Sequence, residues 1–195
     1  MALSPLSAAK ATPPGAPLDI LVVDDSRTNL QVIGRRLSQM GYRCCLCASG
    51  AEALDRIQGR NFDLVLLDMV MPGMSGMTVL REIRGMQHRR HTPVLMITAR
   101  SDPGAVVEAL GGGADDHVAK PFEFEVLDAR MRRLIERAQE IEELRRSNES
   151  LDARIAHRAI EIGELRSKVH DMLADRQRLA DSLQALQQQV DQLGS

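Results

Sequence analysis

Apolar runs and helical apolar faces alternate along the first two thirds of the chain. The runs predict strands near 19–24, 42–47, 62–68, 93–98 and 114–118. Between them, apolar residues recur at helical spacing and predict four helix faces: Leu30, Ile33, Leu37 and Met40; Ala51, Leu54 and Ile57; Leu80 and Ile83; Val106, Ala109 and Leu110. Glycines close three of these helices, at positions 41, 59 and 111–113.

The strand sequences indicate a sheet that is buried on both faces. The most apolar strands are continuous apolar runs, whereas a strand with one solvated face would alternate apolar and polar residues. Strand–helix units repeated in this order predict an α/β fold, a doubly wound parallel sheet of (βα)5 type. The flavodoxin-like strand order 2-1-3-4-5 suits this arrangement.

The sequence changes character after Pro121 and predicts a long helix. No further Pro occurs, and the only later glycines are Gly163 and Gly194. A heptad repeat can be written with core a positions at 148, 155, 162, 169, 176, 183 and 190 and core d positions at 144, 151, 158, 165, 172, 179, 186 and 193. All of these positions are apolar except Asn148, Arg158 and Arg176. We therefore predict that the fifth helix of the α/β domain continues without a break into a coiled coil.

The coil is expected to need a partner. A stripe of this kind also suits a helix that packs on its own domain, but residues 144–193 would span roughly 75 Å at ~1.5 Å per residue. That length exceeds the domain itself, so we predict pairing with a second copy of the chain. β-branched a residues, Leu at most d positions and Asn148 in the core favour a parallel dimer. A step of three residues from Ile141 to Leu144, a stammer, marks the expected start of the free coil.

Composition and charge narrow the classes of function. The net charge of −2 gives no basis for binding nucleic acid or an anionic membrane. Aromatic residues make up 2% and Trp is absent, which argues against base stacking. No apolar run has the length of a membrane span. Residues 1–17 are rich in Pro, Ala and Ser without a sustained apolar segment, so we interpret them as a disordered leader and not a signal peptide.

The three cysteines cluster on the second predicted strand. On a strand, Cys45 and Cys47 face one side and Cys44 faces the other. Such clusters also serve metal binding or redox chemistry, but no further Cys or His lies at ligand spacing. We interpret them as buried, reduced thiols, which is typical of a cytoplasmic protein.

Polar residues follow the predicted strands at their carboxyl ends. Asp24 and Asp25 follow the first strand, Asp68 ends the third, Thr98 ends the fourth and Lys120 follows the fifth. Because these ends lie at one edge of a parallel sheet, the fold gathers three carboxylates, a hydroxyl and an ammonium into one pocket. Taken alone, Asp68 would equally suit a turn or a helix cap, and its companions favour the pocket.

This set of residues resembles the receiver domain of bacterial two-component response regulators. The resemblance covers roughly residues 18–140 and rests on Asp24-Asp25, Asp68, Thr98-Ala99 and Lys120-Pro121-Phe122. It implies that Asp68 accepts a phosphoryl group from a phosphohistidine on a histidine kinase or histidine phosphotransfer protein. It also implies a Mg²⁺ cofactor with four protein ligands: Asp25 and Asp68 directly, Asp24 largely through water, and the backbone carbonyl of Val70.

The resemblance implies further roles, and the chain departs from the family at two positions. Lys120 is expected to pair with the phosphoryl oxygens, and Thr98 to donate a hydrogen bond to them. His117 stands where the family carries Tyr or Phe, which swings inward when Thr98 engages the phosphate. We interpret His117 as a tolerated substitute that alters switching, with pH sensing as the alternative. Arg100 overhangs the site and is expected to tune hydrolysis of the acyl phosphate.

These observations divide the chain into three segments and favour one function. We assign residues 1–17 to the leader, 18–140 to the receiver and 141–195 to a coiled-coil dimerisation helix. The leading hypothesis is a phosphorylation-dependent switch with no output catalytic domain, acting through the dimeric coil on an unknown partner. The alternative is the sensory receiver and linker of a larger enzyme, such as a diguanylate cyclase, a cyclic-di-GMP phosphodiesterase or a histidine kinase.

Two further functions are rejected. Residues 128–146 carry nearly balanced charges, so they do not form the basic region that a DNA-binding coiled coil requires. His157 and His170 lack the surrounding residues of a kinase phosphoacceptor helix, and we interpret them as solvated helix positions.

Overall fold

A computed structural model of the chain describes residues 17–99 and 103–193. Strands and helices alternate strictly along these residues. Their bounds are β1 Asp19–Val23, α1 Arg27–Gln39, β2 Arg43–Cys47, α2 Gly50–Gly59, β3 Leu64–Asp68, α3 Gly76–Gly85, β4 Val94–Ala99, α4 Pro103–Gly111, β5 Asp116–Lys120 and α5 Phe124–Leu193. Each predicted strand and helix is found, with ends that differ by a few residues.

The strands form one five-stranded sheet in the order β2-β1-β3-β4-β5, and all neighbouring pairs are parallel. The predicted doubly wound fold is therefore confirmed. Val23, the last residue of β1, lies opposite Leu67, and Asp68 at the end of β3 lies opposite Ile97. The strand order reverses at β1 and β3, which is where such sheets leave a crevice at their carboxyl ends.

Two hydrophobic layers cover the sheet, one on each face. In β1, Leu21 and Val23 belong to one layer, whereas Ile20 and Val22 belong to the other. All four residues are fully buried. This is why the central strands read as unbroken apolar runs.

Serine side chains cap the first three helices. Ser26, Ser49 and Ser75 each accept a hydrogen bond from a backbone N–H in the first turn of α1, α2 and α3. A cap fixes where each helix begins, and thereby fixes the short loop between a strand end and the following helix. The first of these loops, between β1 and α1, carries Asp24 and Asp25.

The predicted faces of α2 and α4 are wrong in detail. Ala51 is exposed, and the buried positions of α2 include Ala53 and Ile57. Leu110 is 45% exposed although Ala109 beside it is fully buried. In α2 the small Ala53 is buried although it was not among the predicted face residues, whereas in α4 the predicted Ala109 is buried as expected. Lys120 is the last residue of β5, not a residue beyond it.

The cysteines face the predicted sides of β2. Cys45 and Cys47 contact one core layer and Cys44 contacts the other. All three are free thiols, but only Cys47 is fully buried and the other two are partly exposed. Burial raises the pKa of Cys44 to about 11, and therefore keeps this thiol protonated at neutral pH.

Helix α5 is a single helix of 70 residues, and the chain divides into two compact units after Ile141. In the first unit, Leu127, Met131 and Ile135 are buried in the core. In the second, the described apolar residues at predicted heptad core positions are between 47% and 66% exposed in the single chain. None of the helices described has the length and apolar character needed to cross a membrane. Arg100 and positions 1–16 of the predicted leader lie outside the described residues.

Candidate active site

Three aspartates meet at the carboxyl edge of the sheet. Asp24 and Asp25 directly follow β1, and Asp68 is the last residue of the neighbouring β3. One carboxylate oxygen from each lies within 4.8 Å of the other two. Asp24 and Asp68 are buried, whereas Asp25 is exposed. The structure thus brings together the three carboxylates, as their positions at the carboxyl ends of parallel strands predicted.

Asp24 is fully buried and fully engaged by donors. Its Oδ1 accepts a hydrogen bond from the backbone N–H of Ser26 at 2.9 Å. The Asn29 side-chain amide donates to both carboxylate oxygens, at 3.1 Å each. Lys120 Nζ lies 2.9 Å from Oδ2. Four contacts therefore compensate this buried charge and fix its orientation.

Asn29 was missed by the sequence reasoning. A signal was available, since an Asn in the first turn of a helix that starts directly after two aspartates is placed to reach back to them. Its partner, however, depends on how the β1–α1 loop folds. No apolar or polar pattern specifies that partner.

Lys120 lies between two of the carboxylates. Its Nζ is 2.9 Å from Asp24 Oδ2 and 3.2 Å from Asp68 Oδ2. Burial by itself would lower the pKa of Lys120, but the hydrogen bonds and charges of the two aspartates outweigh it and raise the pKa. The ammonium is therefore a fixed positive charge beside Asp68.

Asp68 has opposing influences on its charge. Burial raises its pKa above the ordinary value, and the nearby charges of Asp24 and Asp25 raise it further, while Lys120 partly offsets them. A cation bound among the three carboxylates would remove their mutual repulsion. The pocket is therefore suited to a bound cation.

The loop behind Asp68 depends on a glycine. A Cβ on Gly76 would lie 2.1 Å from the backbone oxygen of Asp68. The Gly76 N–H also donates to the backbone oxygen of Met69 at 3.0 Å. The start of α3 thus packs directly against the end of β3. Val70, whose backbone carbonyl is a predicted metal ligand, lies in this loop two residues after Asp68. Val70 is 72% exposed.

Thr98 and His117 lie on the adjacent strands β4 and β5. Thr98 is 1% exposed and follows Ile97, which lies opposite Asp68. Thr98 Oγ1 and His117 Nδ1 are the only buried side-chain nitrogen or oxygen atoms without a hydrogen-bond partner in the described part of the chain. The hydroxyl therefore has its hydrogen-bonding capacity free at the edge of the pocket.

The three carboxylates of the pocket offer the oxygen ligands that Mg²⁺ prefers. This ion prefers oxygen ligands at ~2.1 Å, so that ligands on opposite sides of it are about 4 Å apart. The three carboxylate oxygens, all within 4.8 Å of one another, are close to that spacing. Because Asp24 is already occupied by donors on both oxygens, Asp25 and Asp68 are the carboxylates best placed for direct contact.

Comparisons of the sequence agree with the geometry of the pocket. Residues 20–132 match the family described as "Response regulator receiver domain". The chain is 43% identical over 121 residues to the response regulator MprA of Mycobacterium sp. (strain KMS), which covers 62% of this chain and 52% of that protein. It is 39% identical over 110 residues to the signal transduction histidine-protein kinase BarA of Shigella flexneri, covering 56% of this chain and 12% of BarA. The chain thus spans about half the length of MprA.

Solved structures of receiver domains are similar to the first unit. The chemotaxis protein CheY4 of Vibrio cholerae matches with a TM-score of 0.58 and 33% identity, covering 61% of this chain and 99% of that one. The receiver domain of a sensor histidine kinase from Pseudomonas aeruginosa PAO1 matches with a TM-score of 0.58 and 33% identity, covering 62% and 98%. That second structure contains a magnesium ion coordinated in its active site cleft.

Proposed function

Because this chain belongs to the response regulator receiver domain family, we propose that it is a phosphorylation-dependent switch whose phosphoacceptor is Asp68. The observation that carries the proposal is the position of Asp68. It ends β3 among two further aspartates, with the Lys120 ammonium at 3.2 Å.

The chemistry is transfer of a phosphoryl group between two proteins. A carboxylate oxygen of Asp68 forms a bond to phosphorus as the bond from phosphorus to the donor's histidine nitrogen breaks. The product is an acyl phosphate, and the histidine regains a proton from solvent. The donor is a histidine kinase or a histidine phosphotransfer protein.

The pocket supplies two fixed groups for the phosphoryl oxygens. Lys120 already lies beside Asp68 and pairs with the added negative charge. The Thr98 hydroxyl, which has no hydrogen-bond partner among the described residues, donates a hydrogen bond to the same group. Both are held on the ends of β4 and β5, so little reorganisation is needed when the phosphoryl group arrives.

We assign the Mg²⁺ ligands to Asp25, Asp68 and the backbone carbonyl of Val70, with Asp24 acting largely through water. The hydrogen bonds that occupy both oxygens of Asp24 support this division. When bound, the ion supplies positive charge that neutralises the phosphoryl oxygens.

The second unit serves as a dimerisation helix. Its described heptad core residues are largely exposed in a single chain, and a second copy would cover them in a parallel coiled coil. Since α5 runs from the receiver into this coil as one helix, a change at the receiver end of α5 is transmitted along the coil to a partner. We propose a protein as the downstream partner, without a role for nucleic acid.

A second candidate is a receiver that regulates a larger signalling enzyme. The match to a small part of the kinase BarA favours it, because that receiver belongs to a much longer protein. The natural reading frame distinguishes the two candidates. A diguanylate cyclase, phosphodiesterase or kinase domain encoded after residue 195 would establish the second candidate.

Phosphorylation of purified protein tests the first proposal. Treatment with acetyl phosphate and Mg²⁺ is expected to add one phosphoryl group, detected by intact-protein mass spectrometry. Asp68→Asn should abolish the addition, whereas Asp55→Asn, at an exposed position of α2, should leave it unchanged. Labelling that persists in Asp68→Asn would overturn the assignment.

Metal binding is tested in the same proteins. Asp25→Ala removes a direct ligand from a site with few protein ligands, so Mg²⁺ affinity should fall at least about tenfold. Titration by calorimetry measures the change, with Asp55→Ala as the matched control. An unchanged affinity in Asp25→Ala would mean that the ion binds elsewhere.

A further inference from the structure

Two buried polar atoms in the receiver lack partners, and they lie on neighbouring strands. Thr98 Oγ1 and His117 Nδ1 alone have this property among the buried side-chain atoms that the structure describes. Buried polar atoms are normally hydrogen-bonded, and each exception calls for a physical reason. A state of the protein in which both atoms gain a partner would be stabilised relative to this one.

The two side chains lie on the same face of the sheet. In the parallel pairing of β4 with β5, Met96 lies opposite His117, and Thr98 lies opposite Ala119. Thr98 and His117 are therefore diagonal neighbours, with Cα atoms about 8 Å apart from the usual strand spacing and rise. A threonine and an imidazole can meet across this distance if the imidazole rotates toward the carboxyl edge.

Among the residues that the structure describes, His117 Nδ1 has no hydrogen-bond partner that would hold the ring in its present position. The closest charged group, Asp116 Oδ1, is 3.9 Å from Nδ1. That oxygen already accepts the backbone N–H of His117 at 2.8 Å, and Oδ2 accepts from Arg130 at 2.6 Å. The side chain of His117 is 29% exposed, so it is partly free to rotate.

We propose that phosphorylation joins these two atoms: His117 Nδ1–H donates a hydrogen bond to Thr98 Oγ1, while Thr98 donates its own hydrogen to the phosphoryl group on Asp68. The proposal rests on the phosphoacceptor role of Asp68 proposed above. A threonine hydroxyl has one hydrogen and two lone pairs. Once that hydrogen is given to the phosphoryl oxygen, Thr98 can only accept, so Nδ1 must carry the hydrogen.

The linkage gives His117 a role that an aromatic hydrocarbon ring cannot fill. Phe, one of the two residues expected here from the family resemblance, has no nitrogen and could only occupy space. In this chain the imidazole instead supports the hydroxyl that binds the phosphoryl group. Hydrogen bonds in a chain polarise one another, so each bond strengthens the next. His117 is thus a positioning residue for Thr98.

Beryllofluoride with Mg²⁺, a stable mimic of the phosphoryl group, tests the linkage in the full chain. His117→Phe keeps the ring shape but loses Nδ1, and should weaken beryllofluoride binding about fivefold, the effect of one net hydrogen bond. His117→Asn places an amide nitrogen near the Nδ1 position and should bind within about twofold of the unaltered protein. In a Thr98→Val background, His117→Phe should have no further effect.

A spectroscopic signal provides a second, direct test. In protein labelled with ¹⁵N-histidine, beryllofluoride should produce a slowly exchanging Nδ1–H resonance of His117, which should be absent in Thr98→Val. Equal affinities for all His117 variants, additive effects in the double variant, or no such resonance would overturn the linkage while leaving the phosphoacceptor role intact. Absence of beryllofluoride binding to the unaltered protein and to all variants would overturn both.

Discussion

Lys120 Nζ lies 2.9 Å from Asp24 Oδ2, closer than its 3.2 Å separation from Asp68. The lysine is therefore anchored to the fully buried carboxylate of Asp24. This anchor holds the ammonium where the phosphoryl oxygens would lie in the proposed acyl phosphate on Asp68. It also places a positive charge next to the proposed metal site, and that charge opposes metal binding.

Replacement of this lysine should therefore have opposite effects on metal binding and on phosphorylation. Lys120→Met removes a cation that repels Mg²⁺, so Mg²⁺ affinity should rise by at least about threefold. Phosphorylation by acetyl phosphate should slow, because the phosphoryl oxygens lose their fixed counter-charge. Calorimetry and timed mass spectrometry measure the two effects. Lys168→Met, at an exposed position in the second unit, serves as the control and should change neither.

Asn29 should stabilise the fold through Asp24. Asn29→Leu keeps a similar shape but removes both hydrogen bonds from the amide to the carboxylate. The free energy of unfolding should fall by about 1–3 kcal/mol, because a buried charge loses donors. Urea denaturation measures the loss, with Asn61→Leu at an exposed position as the control. Equal effects of the two substitutions would show that the Asn29 amide is not required.

Gly76→Ala should destabilise the receiver. The added Cβ would lie 2.1 Å from the Asp68 backbone oxygen, and two backbone segments cannot move apart as a flexible side chain would. We expect a loss of about 1–3 kcal/mol in unfolding free energy. Gly59→Ala provides the matched control, since no atom of the described residues lies within 4 Å of the position that its Cβ would take. That variant should be neutral or slightly more stable.

Patterns of apolar residues predicted the fold because its central strands are buried on both faces. The unbroken apolar runs of β1 and β3 suit only central strands of a sheet that is covered on both faces. The order of strands and helices then restricted the topology of the sheet. The faces of α2 and α4 were less predictable. Ala53 is buried although it was not among the predicted face residues of α2, and Leu110 was among those of α4 but is 45% exposed.

The convergence of Asp24, Asp68 and Lys120 was predictable because parallel strands align their carboxyl ends. The hydrogen bonds around them were not. The contact between Tyr42 and Asp128, a hydrogen bond of 2.5 Å, joins residues separated by 86 positions. Such partners follow from the completed fold and leave no periodic signal in the sequence.

Cys44 should react slowly with alkylating agents near neutral pH. Burial raises its pKa from 9.0 to about 11, and only the thiolate is strongly nucleophilic. The rate of iodoacetamide labelling should therefore keep rising up to about pH 11, whereas the thiol in urea-unfolded protein should reach half its maximal rate near about pH 8.5. Peptide mapping by mass spectrometry follows Cys44 separately. A folded-state rate that reaches half its maximum at or below about pH 9 would contradict the raised pKa.

The full chain should form a parallel homodimer through residues 144–193. The described apolar core positions of this segment are largely exposed in one chain, and burial of a large apolar side chain contributes about 1.5–3 kcal/mol. Sedimentation should show a dimer at micromolar concentration, and residues 1–140 should self-associate much more weakly. A full-length monomer under these conditions would contradict the pairing.

Cysteine cross-linking should then report the direction of the two helices. With the native cysteines replaced by Ala, Leu165→Cys should form a disulfide with its counterpart, because equivalent d positions face each other only in a parallel coil that is in register. Ser167→Cys is two residues away on the outer face of the heptad and should not cross-link.

An antiparallel coil would separate the two Leu165→Cys thiols unless the pairing were centred on them. Leu151→Cys therefore provides a second d position two heptads away, or about four helical turns along the helix. Cross-linking at both positions requires parallel chains. Cross-linking at neither, in a protein that sediments as a dimer, would show that the coil pairs in another orientation.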